Sequence, residues 1–115
     1  MSKTYQMNLA KIPFGLIKNG KKVVEMRLNK DGRDKILPDD FIIFTNQESK
    51  ETLKVKVISV NKFPDFKQLY AHFDKTLLGY EKDEIANPKD MNIYYSNDDI
   101  EKYGVLAIQI ELVKI

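Results

Sequence analysis

Four charged side chains crowd one short run, Gly20-Lys21-Lys22-Val23-Val24-Glu25-Met26-Arg27-Leu28. Lysine and arginine together can grip phosphate, and a glutamate between them can orient the guanidinium or accept a hydrogen from a base amino group. A lysine beside a carboxylate in a partly dry cleft can also have its pKa moved toward acid–base work. The run alternates as a half-buried strand does: Val24, Met26 and Leu28 share one face, Glu25 and Arg27 the other. Side chains two apart on a strand stand about 6.5–7 Å apart along it, so Glu25 and Arg27 can serve one site. Their face looks onto water or onto a cleft, and the pair alone does not decide which. Strict alternation puts Lys22 on the Val24 side; if the first residue of the strand turns the other way, lysine, glutamate and arginine converge.

Further candidates lie downstream. Tyr80, Tyr94, Tyr95 and Tyr103 are rings that either stack on bases or cover a core with their hydroxyls in water. Glu81 and Glu84 offer a second carboxylate over the site. His72 stands alone among apolar residues, and with one histidine and no cysteine the chain has no ligand set for a zinc site and no thiolate nucleophile. No metal and no cofactor is expected. A formal net charge of +2 does not by itself announce a nucleic-acid partner, although acidic residues elsewhere can mask a local basic stripe. No apolar run reaches the length of a membrane span, and the opening MSKTYQMNLA has neither a secretory nor a transit-peptide pattern, so a cytoplasmic, membrane-free protein is expected.

The elements that must position these residues read as follows. At 115 residues one core is expected, residues 1–115 forming a single domain. Tyr5 to Leu9 form a strand. Pro13 sits in the first turn of a short helix with Phe14, Leu16 and Ile17 inward, and Asn19-Gly20 ends it. The charged strand runs from Lys22 to Leu28, and a polar loop follows from Asn29 to Asp40. Phe41-Ile42-Ile43-Phe44 suggests a strand buried on both faces, paired antiparallel to a long strand with Leu53, Val55, Val57 and Ser59 on one face. Asp65 caps a helix bearing Phe66, Leu69, Tyr70 and Phe73 that ends near Asp74. Thr76 to Lys89 is irregular cover, Ser96 caps a short helix ending at Gly104, and Val105 to Val113 closes the sheet with Leu106, Ile108, Ile110 and Leu112 on one face. Strands broken by short helices predict an α+β fold, a small mixed β-barrel of five or six strands capped by short helices.

The ordered segments IPFGLIKNGKKVVEMRL, FIIF, LKVKVISV, LGYE, YY and YGVLAIQIEL resemble the ASCH-domain family, whose fold is similar to that of PUA domains. The resemblance runs from about Lys11 to Val113, and its most specific part is Gly20, Lys21, Lys22, Glu25 and Arg27. It implies a PUA-like barrel with a cleft in which the lysine, glutamate and arginine cluster and where RNA or a nucleotide-like small molecule binds. One branch of similar proteins deacylates acetylated cytidine with a lysine, a threonine and a glutamate. Lys22 matches the lysine, Glu25 occupies the threonine's place, and Glu81 or Glu84 stands for the distant glutamate. Where the family often has Gly-Asp before its buried strand, this chain has Asp39-Asp40.

Two functions follow. As a binding module, the protein holds phosphate with Lys21, Lys22 and Arg27, orients the guanidinium or a base with Glu25, and stacks a base on Tyr80, Tyr94 or Tyr95. As a hydrolase of acylated cytidine or RNA, it uses Lys22 or Glu25 as general base, with Arg27 on the developing charge and Glu81 as the second carboxylate. A protein-interaction surface is the third possibility, and the number of subunits is open.

Overall fold

A computed structural model describes residues 2–113. Strands β1 (Thr4–Leu9), β2 (Val24–Leu28), β3 (Phe41–Asn46), β4 (Thr52–Phe63) and β5 (Val105–Leu112) form one sheet in the order β1-β3-β4-β5-β2. β1 runs parallel to β3, and every other neighbour is antiparallel. Helices α1 (Lys11–Lys18), α2 (Phe66–His72) and α3 (Asn97–Tyr103) and three short 3₁₀ segments, Arg33–Lys35, Lys75–Leu78 and Pro88–Ile93, complete the fold. The sheet curls into a half-barrel of the mixed α+β, PUA-like kind. Its two edge strands, β1 and β2, face each other across an open seam.

Each face of the sheet carries a core. Inside the curl, Leu9, Phe14, Ile17, Ile42, Phe44, Val55, Val57, Leu106 and Ile108 pack together, with α1 closing one end. On the other face Val24, Met26, Leu28, Val105 and Ala107 pack against Phe66 and Leu69 of α2 and against Leu78 and Met91 of the 3₁₀ segments. Each such side chain taken fully out of water contributes about 1.5–3 kcal/mol, so the two clusters set the shape of the sheet.

Several strand expectations change for physical reasons. β3 buries Ile42 and Phe44 but leaves Phe41 and Ile43 half-buried, so it is covered on one face only; on the other, the Lys54 ammonium lies 4.4 Å from the Phe41 ring centre. β5 takes the part expected of β3: flanked by β4 and β2, it buries Leu106 and Ile108 in one core and Val105 and Ala107 in the other. In β4 the register slips between Val57 and Ser59, so Val60 instead of Ser59 rejoins the inner core while Ile58 faces outward. α2 stops at His72 because Asp74 is used in the next segment, accepting from the Thr76 N–H.

Candidate functional site

Local chain geometry sets the site. α1 ends at Lys18 with Asn19 as its C-cap, and Gly20 adopts φ 76°, the left-handed conformation that only glycine reaches without cost. The Leu16 carbonyl then accepts from both the Lys21 and Lys22 N–H groups, at 2.9 and 3.1 Å. Those two residues are thereby held to the helix end, and β2 begins at Val24 instead of Lys22. Freed from strand alternation, Lys22 turns to the face of Glu25.

Glu25 and Arg27 lie opposite Ile108 and Leu106 in the β2–β5 register, so they project toward the inner core and into the seam. They are not a solvated face: their side chains are 3% and 12% exposed, and that of Lys22 is 9% exposed. Glu25 Oε1 lies 3.2 Å from Lys22 Nζ and accepts from its neighbour Met26 N–H at 3.1 Å. Glu25 Oε2 accepts from Arg27 Nε at 2.9 Å. Arg27 Nη2 also donates to the Asn8 carbonyl of β1 at 2.8 Å, which ties the two edges of the half-barrel together through a side chain. Burial alone would raise the Glu25 pKa, but the charges of Lys22 and Arg27 and their hydrogen bonds outweigh it and hold the carboxyl below its ordinary value.

The three charges line a cavity of about 260 Å³ together with Asn8, Pro13, Gln47, Met91, Tyr94 and Tyr95. Two cations against one carboxylate leave it one positive charge. Tyr94 is 54% exposed, its ring available at the rim. Tyr95 is packed: its ring stacks on Phe66 with centroids 6.0 Å apart and planes 15° from parallel, and burial pushes its hydroxyl pKa up. The Asn92 side chain fixes this corner by donating to the Tyr95 carbonyl at 3.1 Å.

The remaining candidates lie elsewhere. Lys21 and Glu81 form an exposed ion pair at 3.5 Å beside a separate surface hollow. Tyr80 borders that hollow and an adjoining cavity of about 310 Å³ that shares Lys22, Met26, Met91 and Tyr94 with the first. Its hydroxyl donates to Asp90 Oδ2 at 2.7 Å and meets the Tyr70 hydroxyl at 2.9 Å, and burial followed by these contacts raises its pKa steeply. Glu84 lines the same adjoining cavity. Sequence reasoning missed Asn8, Gln47 and Met91. Asn8 and Gln47 come from β1 and the turn after β3, and nothing in their own neighbourhoods marks them; only the sheet order brings them to β2.

A curled five-stranded mixed sheet bearing short helices defines a PUA-like fold. The ASCH domain matches residues 7–114, and the chain belongs to the ASCH-domain family. It is similar to the hypothetical protein PH0355, known from a crystal structure, at 31% identity and a TM-score of 0.80, covering 96% of this chain and 99% of that one. It is also similar to a Pyrococcus furiosus protein known from a solution NMR structure, at 27% identity and a TM-score of 0.73, covering 97% and 99%. The ASCH domain from Lactobacillus crispatus shares the fold at 15% identity and a TM-score of 0.67, covering 96% of this chain and 79% of that one. No curated protein matches the sequence.

Proposed function

We propose that this chain binds RNA, or a nucleotide-like small molecule, in the cavity lined by Lys22, Glu25 and Arg27. The observation that carries this reading is the convergence of the three charges in one recess with a surplus positive charge and an exposed tyrosine at its rim. ASCH domains are generally thought to bind RNA, and the chemistry of the recess agrees. Lys22 and Arg27 attract phosphate, Glu25 holds both cations in place, and Tyr94 stacks on a base. At about 260 Å³ the cavity is just below the range of drug-sized ligand sites, which suits a single base or nucleotide. Lys21 and Tyr80 stand at the periphery of the recess. The reading takes the chain as one domain acting in the cytoplasm; among the described residues no helix is long and apolar enough to cross a membrane.

The hydrolase alternative rests on the same Lys22 and Glu25 and is the weaker one. Among the described residues no serine, threonine or cysteine lines the cavity, and a carboxylate whose pKa is held down by two cations is a poor general base. Glu81, its second carboxylate, lies outside the recess. Two measurements decide. Binding to a mixed pool of short single-stranded RNAs should fall about 10- to 100-fold in Arg27→Ala, the worth of a charge-assisted contact. An unchanged affinity rules the cavity out as the binding site. Incubation with acylated cytidine and with RNA should show no turnover; turnover by wild type that is lost in Glu25→Gln under conditions where its melting curve shows the variant folded would establish the hydrolase instead.

A further inference from the structure

The recess does not end at Arg27. A second cavity of about 360 Å³ continues from it, sharing Asn8 and Arg27 and bounded by Gln6, Asp31, Gly32 and Arg33. Its floor is the free edge of β1. The Lys3 and Leu9 carbonyls accept from Phe41 and Gln47 N–H groups on the β3 side, so by strand alternation Gln6 and Asn8 direct their backbone groups to the open side. The Asn8 carbonyl confirms that direction, since Arg27 reaches it from across the seam. The open edge beside this cavity therefore presents the Gln6 and Asn8 N–H donors, alternating with the Gln6 carbonyl and with the Asn8 carbonyl that Arg27 already occupies.

Arg33 supplies the charge. Its side chain is 22% exposed, and its nearest carboxylate, Asp31, is 69% exposed and 3.9 Å away. A 3.4 Å contact to the Leu28 carbonyl is the one hydrogen bond of its side chain among the described residues. Its field reaches the first cavity, where it bears on the Tyr95 hydroxyl. Across both cavities Lys22, Arg27 and Arg33 stand against Glu25 and Asp31, which leaves one positive charge, and the least compensated of the three cations is Arg33.

We propose that this second cavity is a phosphodiester subsite, so that the ligand is a single-stranded oligoribonucleotide of two or more residues rather than a free nucleoside. One nucleotide occupies the Lys22–Glu25–Arg27 recess with its base against Tyr94, and the phosphodiester that joins it to the next lies against Arg33, Arg27 and the Gln6 and Asn8 N–H groups. This rests on the RNA-binding reading above and adds to it the direction in which the strand leaves the recess.

The test titrates the protein, followed by amide NMR, with the four ribonucleosides and with the dinucleoside monophosphates UpU, CpC, ApA and GpG. The dinucleotide that binds best should bind about tenfold tighter than its nucleoside, and it should shift the Gln6, Asn8 and Arg33 amides. Arg33→Gln should remove most of that gain while leaving nucleoside affinity within about twofold, and Arg33→Lys should restore part of it as a point charge without the fork. A melting curve for each variant checks that the fold is intact. If nucleosides bind but the added phosphate gains nothing, or Arg33→Gln weakens both ligands equally, the subsite is refuted and the recess stands. If neither nucleosides nor dinucleotides bind, the RNA reading and the subsite fall together. If an extended hexapeptide of alternating valine and threonine shifts the β1 amides and dinucleotides do not, the edge pairs with strands and the proposal is overturned.

Discussion

Glu25 is the residue on which the site depends. It is nearly buried, carries a charge and touches both cations, so removing its charge leaves Lys22 and Arg27 facing each other without their counter-ion. Breaking one side of a buried ion cluster costs about 3–5 kcal/mol, and Glu25→Gln should lower stability by about that much in urea unfolding at neutral pH. The acid limb gives the sign. The folded-state pKa lies below the ordinary 4.5, so the contribution of Glu25 is fully present above about pH 4.5 and is lost as pH falls through the depressed value. Asp40 and Asp74 are also lowered, by the Lys3 and Leu37 N–H groups and by Thr76 respectively, so wild type keeps some acid sensitivity from them. The difference in stability between wild type and Glu25→Gln should therefore shrink between about pH 5 and pH 2; a constant difference would mean that folding leaves the Glu25 pKa unshifted. Alternation made the shared face of Glu25 and Arg27 legible in the sequence. The turn of Lys22 was not, because it depends on the Leu16 carbonyl holding two N–H groups at the helix end.

Among the elements, the crossing of the Lys75–Leu78 segment over Lys22 is the tightest joint of the site. Val23 N–H donates to the Leu77 carbonyl at 3.0 Å, and the chain then turns at Gly79 with φ 105°. A Cβ there would meet Leu16 Cδ1 at 3.2 Å and Lys22 Cδ at 3.4 Å. Gly79→Ala should cost about 1–2 kcal/mol from the left-handed backbone and should also weaken RNA binding by pressing on the Lys22 stem. Gly15 is the contrast: it lies within α1 with nothing inside 4 Å of a built Cβ, so Gly15→Ala should raise stability by about 0.5–1 kcal/mol. Thermal or urea denaturation of the two variants checks both signs, and equal effects would show that backbone conformation is not what separates them. The elements themselves were largely readable, since caps such as Asp65 and Ser96 act through neighbours in sequence. Which strand is buried on both faces was not. That follows from strand order, and the apolar run of β3 misled because its outer face carries the half-buried Phe41 and Ile43 beside the Lys54 side chain instead of a second core.

For the whole molecule, the decisive quantity is how charge is distributed around an open seam. The chain has 19 basic and 17 acidic residues, a surplus too small for strong long-range steering of RNA. Part of the surface charge is neutralised in pairs: Lys18 with Glu51, Lys21 with Glu81, Lys56 with Asp39. Lys22, Arg27 and Arg33, gathered where β1 and β2 fail to pair, are offset among the described residues by Glu25 and Asp31. On the proposed reading, RNA held there engages one or two phosphates. The slope of log K against log salt for a short single strand should then be shallow, about −0.7 to −1.4, since each neutralised phosphate contributes about −0.7. Arg33→Gln should reduce its magnitude by roughly one phosphate's worth, about 0.7. Fluorescence anisotropy with a labelled oligoribonucleotide over a range of potassium chloride measures both. A slope steeper than about −3 requires four or more phosphate contacts, more than the seam offers. It would move the binding surface to the exposed lysines of β4 and leave the charged seam with a structural role, that of tying β2 to β1 through Arg27 and the Asn8 carbonyl.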